Sequence, residues 1–369
     1  MFSLWNYGTN KILKIIRVID SELDKVIALH RGECLIELIK AYNELKAVTS
    51  IPACQFGSAI FPLEQVKEYK LSILNFNDRL SKSDAAKFLK EEEVAVGALD
   101  SSTYNPGPHV TINISIVNVG YWYMNYHMET GGSDNYAKLI PSIGGRVDEE
   151  LAVKDIELEV INMLIEKLSD RRKFLLLDES LSLIYTLSWT AEAREQMAFK
   201  TKKIIDETLK HDIIPIGVYY TRVADIVRGM VTIAGEKLEN IPIIPDRTIL
   251  NAVLDIYSRS PLFSVYSKAL QKVGLEILCF YVKLGERNVI RVEFPAEAKK
   301  AVDNIHLLII LQSILGNGYP LAMQRAHEMA VLGANERRVI EEEVCRKLGI
   351  PAIEYILSKK AVSKRWPIA

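Results

Sequence analysis

Two stretches of this chain set an acidic residue at the end of a fully apolar run, and they restrict its fold more than any other feature. Val94-Ala95-Val96-Gly97-Ala98-Leu99 runs into Asp100-Ser101-Ser102, and Phe174-Leu175-Leu176-Leu177 runs into Asp178-Glu179-Ser180. Runs this short do not make helices. They read as strands buried on both faces of a sheet. Each would deliver an aspartate to the sheet rim, where open α/β sheets bind ligands and metals.

The remaining elements are arranged around those two strands. Residues 1 to about 50 carry a helical spacing of apolar side chains (Ile12, Ile15, Ile16 and Ile19, then Val26, Ile27, Leu35, Ile36 and Ile39), which predicts one or two amphipathic helices. A charged helical stretch, Ser81 to Glu93, leads into the first strand. Val110, Ile112, Ile114 and Ile116 alternate with polar neighbours, and Tyr121 to Tyr126 follow after a break at Asn118-Val119-Gly120. With the first strand these predict an antiparallel meander. The glycines at 131, 132, 144 and 145 read as turns in a loop-rich region, because no phosphate-binding helix pattern follows them. A helix is expected over 149–168, then the Asp178 strand, a helix near Thr190 to Lys210, and a strand from Ile213 to Tyr219. Further on, the pattern predicts a helix at Ile249–Tyr257 and a strand pair at Leu275–Leu284 and Asn288–Phe294. Helices are expected at 297–314, 320–332, 335–347 and 351–364. Three meandering strands, helix, strand, helix, strand is the order of the ribonuclease H-like architecture: a mixed α/β sheet flanked by helices, here with N-terminal and C-terminal helical additions. The expected division is a mainly helical region 1–90, a core domain 91–345, and a closing helix and basic tail 346–369.

Composition narrows the class without naming it. Hydrophobic residues at 49% and charged residues at 25% exclude wholesale disorder. Lys and Arg total 46 against 47 Asp and Glu, a net charge of −1, so a basic surface for nucleic acid would have to be local. Cys34, Cys54, Cys279 and Cys345 form no metal-binding or disulfide spacing, as expected in a reducing compartment. The start of the chain lacks the pattern of a secretory leader, and the longest apolar run, Leu307–Leu311, is far too short for a membrane span. A cytoplasmic protein without membrane contact is expected.

If the two aspartate strands are neighbours, their carboxylates lie close together. Like charges about 4 Å apart repel by roughly 4 kcal/mol at an effective dielectric near 20, which a shared proton or a divalent cation relieves. Oxygen donors favour Mg²⁺ or Mn²⁺ over zinc. The structural alternative is that each aspartate caps the turn that follows it. A third carboxylate stands on the preceding helix. Glu157 falls near the centre of the apolar stripe of Ile156, Val160, Ile161, Leu164 and Leu168, and Glu159 lies at its edge beside Met163. A carboxylate on such a stripe must be paired or liganded; a shift in the helix start would exchange the two. Further on, Pro320 opens a helix that sets Met323 and His327 on one face, with Tyr319 at its beginning. His327 is structural unless that face turns toward the aspartates.

These pieces together resemble the NurA nucleases, archaeal and bacterial proteins of DNA end processing. The resemblance runs from about Val94 to Val344. It rests on Ala98-Leu99-Asp100-Ser101-Ser102, Leu176-Leu177-Asp178-Glu179-Ser180-Leu181, Ser258-Arg259-Ser260-Pro261-Leu262-Phe263, Arg291-Val292-Glu293-Phe294-Pro295, and Gly318-Tyr319-Pro320 running into Ala326-His327-Glu328. It implies Mn²⁺-dependent (or Mg²⁺-dependent) DNA cleavage, 5′-to-3′ on ends and endonucleolytic on single strands, in double-strand break repair. It also implies a homodimer working with a HerA-type translocase. Carried over by position, Asp100, Asp178 and a helix glutamate (Glu159 or Glu157) would hold the metal, His327 would complete the site, and Tyr319 would line it. Tyr319 would contact the phosphate or stack on a base. Arg222, Arg259 and Arg291 are candidate phosphate contacts, although Arg291 and Glu293 read equally well as a structural pair.

The chain departs from the family pattern at several points. Where the family usually carries Asp-Gly-Ser, this chain has Ser101 and Glu179 in place of glycine, and Glu179 adds a negative charge beside a site that must accept phosphate. A lysine expected after the third buried strand is replaced by Tyr219-Tyr220-Thr221-Arg222. The sequence therefore also admits a non-enzymatic relative that docks on DNA or on the translocase. The tail Lys359-Lys360 through Lys364-Arg365-Trp366 reads either as a basic DNA grip or as a frayed terminus.

Overall fold

The computed structural model describes residues 12, 14–19, 33–71, 80–105, 114–141, 145–220, 222–234 and 244–349. Val110, Ile112, the predicted helix 351–364 and the basic tail lie outside them. The chain forms two compact units, one drawing on both chain ends and the other spanning Ala41–Asn105 and Asn113–Leu332. The described residues of the first include the helix Ala334–Lys347. The second holds the sheet and is the one described below.

Among the described residues its nine strands are β1 Ser58–Pro62, β2 Val94–Tyr104, β3 Ile114–Asn125, β4 Thr130–Pro141, β5 Arg172–Leu177, β6 Ile213–Tyr219, β7 Phe263–Ser267, β8 Ile277–Gly285 and β9 Asn288–Pro295, ordered β1-β7-β8-β9-β6-β5-β2-β3-β4. Its described helices include α1 Lys82–Glu91, α2 Arg146–Ile165, α3 Ala191–Lys210, α4 Asp225–Ala234, α5 Asp246–Val253, α6 Val302–Leu315 and α7 Leu321–Ala330. The mixed sheet flanked by helices is the α/β class expected. The order of antiparallel β2-β3-β4 followed by parallel β5 and β6 is the ribonuclease H-like order. Pro215 sits inside β6 without breaking the sheet. It pairs with Leu175 of β5 on one side, and β9 joins the other side only from Gly217, so the missing N–H is not required there.

Several elements differ from the sequence reading. Asn118-Val119-Gly120 is not a break: β3 runs straight through it, and the third strand of the meander is Thr130–Pro141, the stretch read as loop-rich. Gly120 is a contact point rather than a turn. A Cβ there would come within 2.3 Å of the Ala330 nitrogen and 2.5 Å of the Ala326 carbonyl oxygen, so α7 rests its backbone on the sheet. Strands β1 and β7 and helix α4 were not foreseen, although α4 sets Ile226, Val227 and Met230 at helical spacing, and the helix predicted at Ile249–Tyr257 is α5, ending at Val253.

The two faces of the sheet are covered by different helices. Val94, Val96 and Ala98 of β2, Phe174 and Leu176 of β5, and Ile216 and Val218 of β6 share a core with residues of α1, α6 and α7. The alternate residues turn the other way: a Cβ on Gly97 would meet Leu168, which follows α2.

Two predictions follow from this packing. Gly120→Ala forces α7 off the sheet and should lower stability by about 1–3 kcal/mol, read as a reduced urea midpoint. His306 of α6 is fully buried, its Nε2 donating to the Tyr257 carbonyl at 3.1 Å. Burial, reinforced by the Arg259 charge, lowers its pKa from 6.5 to about 3. The unfolded chain then binds the extra proton between those values, so the His306 contribution is complete above 6.5 and is lost as pH falls. Urea unfolding at pH 7 and pH 5 should show the wild-type chain losing about 2 kcal/mol more than His306→Gln.

Candidate active site

Successive residues of β2 point to opposite faces, and this divides the candidate residues into two groups. Asp100 pairs with Gly120 and so faces α7. There His327 Nδ1 lies 2.7 Å from Asp100 Oδ2. Ser102, on the same face, donates to the Ala330 carbonyl at 2.5 Å, and its partner Asn118 donates to that carbonyl at 2.8 Å. The end of α7 is thereby tied to the sheet by hydrogen bonds as well as by the close approach at Gly120.

Asp178 joins this face. The parallel ladder of β2 and β5 closes at Leu99 and Leu177, so the residues that follow, Asp100 and Asp178, emerge side by side. Asp178 opens to solvent, yet the protein around it pushes its carboxyl up to about 6; the Asp100 charge adds to the rise and His327 opposes it. Tyr319 also feels both carboxylates, and partial burial is the first cause of its raised pKa. Its ring stacks on Tyr220 with centroids 5.6 Å apart and planes 16° from parallel. The face that carries Asp100 thus gathers Asp178, His327, Tyr319 and Tyr220.

Ser101 faces the other way, toward α2, and donates to Glu157 Oε1 at 2.8 Å. Glu157 is buried, as its place on the apolar stripe requires, and its second oxygen accepts from Lys154 Nζ at 2.7 Å. The same ammonium pairs with Glu179. Burial works against the charge on Lys154, but the two carboxylates outweigh it and hold the ammonium well above its ordinary pKa. Glu179 is therefore paired inside the fold, where it shares one ammonium with Glu157. Glu159 goes to neither group: it sits half-exposed against β4, accepting from Lys138 at 2.8 Å and from the Tyr136 hydroxyl at 3.0 Å. Lys154 was missed in the sequence. The signal was a lysine one helical turn before a glutamate on the same apolar stripe.

The arginines separate as clearly. Arg222 is exposed. Arg259, expected on phosphate, is 3% exposed; it bonds to Glu64 at 2.8 Å and stacks over Tyr69 at 4.3 Å. Arg291 is wholly buried between Asp225 and Glu293, each at 2.8 Å, which makes it the structural pair. Glu293 has a further part: it accepts from the Ser182 N–H at 2.9 Å, the Ser182 hydroxyl at 2.7 Å, the Ser180 hydroxyl at 3.2 Å and the Tyr219 hydroxyl at 2.8 Å. The loop leaving Asp178 is pinned to β9 and β6 through this one carboxylate.

Residues 198–332 match the model of the NurA domain. Among solved structures, one of NurA is 11% identical, with a TM-score of 0.45, covering 90% of this chain and 97% of that one. A structure of NurA bound to dAMP and manganese is 10% identical at a TM-score of 0.38, covering 94% and 98%. Endonuclease V from Bacillus subtilis is 10% identical at a TM-score of 0.37, covering 75% and 99%. No curated protein matches the chain in sequence.

Removing Lys154 would leave two carboxylates buried without their cation. Lys154→Met should cost roughly 3–5 kcal/mol, and adding Glu179→Met should restore part of it, because Glu157 keeps its bond to Ser101. Urea denaturation of the single and double variants measures both effects.

Proposed function

From the premise that residues 198–332 belong to the NurA domain family, we propose that this protein is a metal-dependent nuclease that hydrolyses phosphodiester bonds of DNA. The observation that carries the reading is the pair of carboxylates, Asp100 and Asp178, at the end of a parallel ladder with a histidine bonded to one of them. Among the described residues no group of three or more His, Cys, Asp or Glu side chains forms a metal cage. Two carboxylates nevertheless fit Mg²⁺ or Mn²⁺, which such sites hold through one or two carboxylates, with waters and substrate phosphates supplying the rest.

Asp100 and Asp178 would hold the ion, which when bound lowers the pKa of a water and offsets charge on the phosphate. His327 orients its ring by giving the Nδ1 hydrogen to Asp100. Its side chain is 62% exposed, and Nε2 is left to take up or pass on a proton. Glu157 is bonded to Ser101 on the opposite face and steadies β2 next to Asp100. Arg222 is the exposed arginine of the three and the one we assign to phosphate.

The finer parts of the reading are 5′-to-3′ exonuclease and single-strand endonuclease action in DNA end processing, a homodimer, and a HerA-type translocase as partner. They are supported by the family resemblance. No helix among the described residues is long and apolar enough to cross a membrane. A second reading, a DNA- or translocase-binding adaptor, is favoured by the capture of Glu157 by Lys154, which leaves two carboxylates rather than three on the face with His327.

Incubating the protein with end-labelled single-stranded DNA separates the two. Mn²⁺-dependent products that disappear in EDTA, and a fall on the order of 100-fold or more in Asp178→Asn, are the expected result. DNA binding without cleavage at any Mn²⁺ concentration would leave the adaptor.

A further inference from the structure

Tyr220 lies in the stretch Tyr219-Tyr220-Thr221-Arg222 that follows the third buried strand, and its surroundings give it a task of its own. It follows directly on β6, whose Ile216 and Val218 face the same core as Val96 and Ala98 of β2 and Leu176 of β5. By the alternation of the strand, Tyr220 belongs to the face on which Asp100 and Asp178 emerge. One side of its ring is covered by Tyr319, nearly parallel at 5.6 Å, and 52% of the residue remains exposed. The ring is held at both its face and its hydroxyl. Its hydroxyl donates to Asn288 Oδ1 at 2.8 Å, and Asn288 Nδ2 donates to the Gly318 carbonyl at 2.6 Å, immediately before Tyr319. Both rings of the stack are therefore fixed to one short frame, and the inner ring lies within the field of the two carboxylates.

We propose that Tyr220 is a stacking platform for an unpaired nucleobase of the strand whose phosphate lies at Asp100 and Asp178. The assignment rests on the nuclease reading for the position of the phosphate. Tyr319 is the inner member of the stack: it supports Tyr220 from below and leaves the outer ring to meet the base. Stacking of this kind tolerates any base, because every base has a π face, and it requires that the base be unpaired. The platform thus favours single strands and frayed ends over intact duplex.

The test measures binding with Ca²⁺ in place of Mn²⁺, a cation that carboxylates hold and that keeps the phosphate from meeting two bare anions, and it reads stacking rather than cleavage. Short single-stranded oligodeoxynucleotides carrying 2-aminopurine at successive positions are titrated with the full chain, and stacking is read as fluorescence quenching. Quenching is expected at one position. Tyr220→Ala should abolish it and weaken binding roughly 5- to 150-fold, with no further loss on an oligonucleotide abasic at that position. Tyr220→Phe keeps the ring and should retain most of the quenching, and Tyr220→Trp should increase it. Equal weakening of the base-bearing and abasic strands by Tyr220→Ala, or no quenching at any position, would overturn the proposal. Quenching that persists in a chain unable to cleave with Mn²⁺ would leave the platform standing and remove the hydrolase.

Discussion

The in-register parallel pairing of β2, β5 and β6 is the constraint from which the arrangement of the site follows. Because Leu99 pairs with Leu177 and Leu177 with Gly217, the residues just beyond the ladder come out next to one another although they are distant in the chain. Side chains alternate along a strand, so the register also decides which of them face together. Asp100 and Asp178 share a face with the end of α7, and Ser101 turns to α2. A slip of one residue in β5 would exchange Asp178 for a neighbour and dissolve the pair.

Charge is managed differently on the two sides. On the α7 face a pair of carboxylates has a histidine beside it and, among the described residues, no bonded lysine or arginine, and partial burial raises the pKa of one of them. On the α2 face two carboxylates share the Lys154 ammonium and are internal. A net charge near zero conceals this contrast. Further along the sheet, Arg291, Asp225 and Glu293 form a third polar group, fully enclosed, whose outer end grips the serines after Asp178. Buried ion pairs are weak evidence for stability as such; their use here is to hold a loop in one place.

How much of this was legible in the sequence depends on the kind of signal. The two aspartate strands, the α2 and α3 helices and the β8–β9 pair were legible, because apolar runs and helical spacing report burial directly. The third strand of the meander was not. Thr130-Gly131-Gly132-Ser133-Asp134-Asn135 has a turn composition, and β4 tolerates it as the edge of the sheet, paired on one side and mostly exposed. Gly120 misled for a related reason: a glycine in a strand reads as a break until the helix backbone resting on it is seen. In the site, Glu157 was correctly read as needing a partner, but its spacing could not say that the partner would be a lysine one turn earlier. Arg259 and Arg291 illustrate the general difficulty, since a guanidinium destined for solvent and one destined for a buried carboxylate look alike in a sequence.

The triangle of Lys154, Glu157 and Glu179 restricts how its three positions can change. A glycine after the second aspartate needs no counter-charge, whereas a glutamate there needs one, and the ammonium that supplies it lies on a separate helix. A glutamate at 179 without the lysine strands an anion in the interior, whereas the lysine without that glutamate keeps Glu157 as its partner. The order of change is therefore constrained: an acidic residue at 179 is tolerated only where position 154 already carries a cation, while the cation has a reason to be present either way.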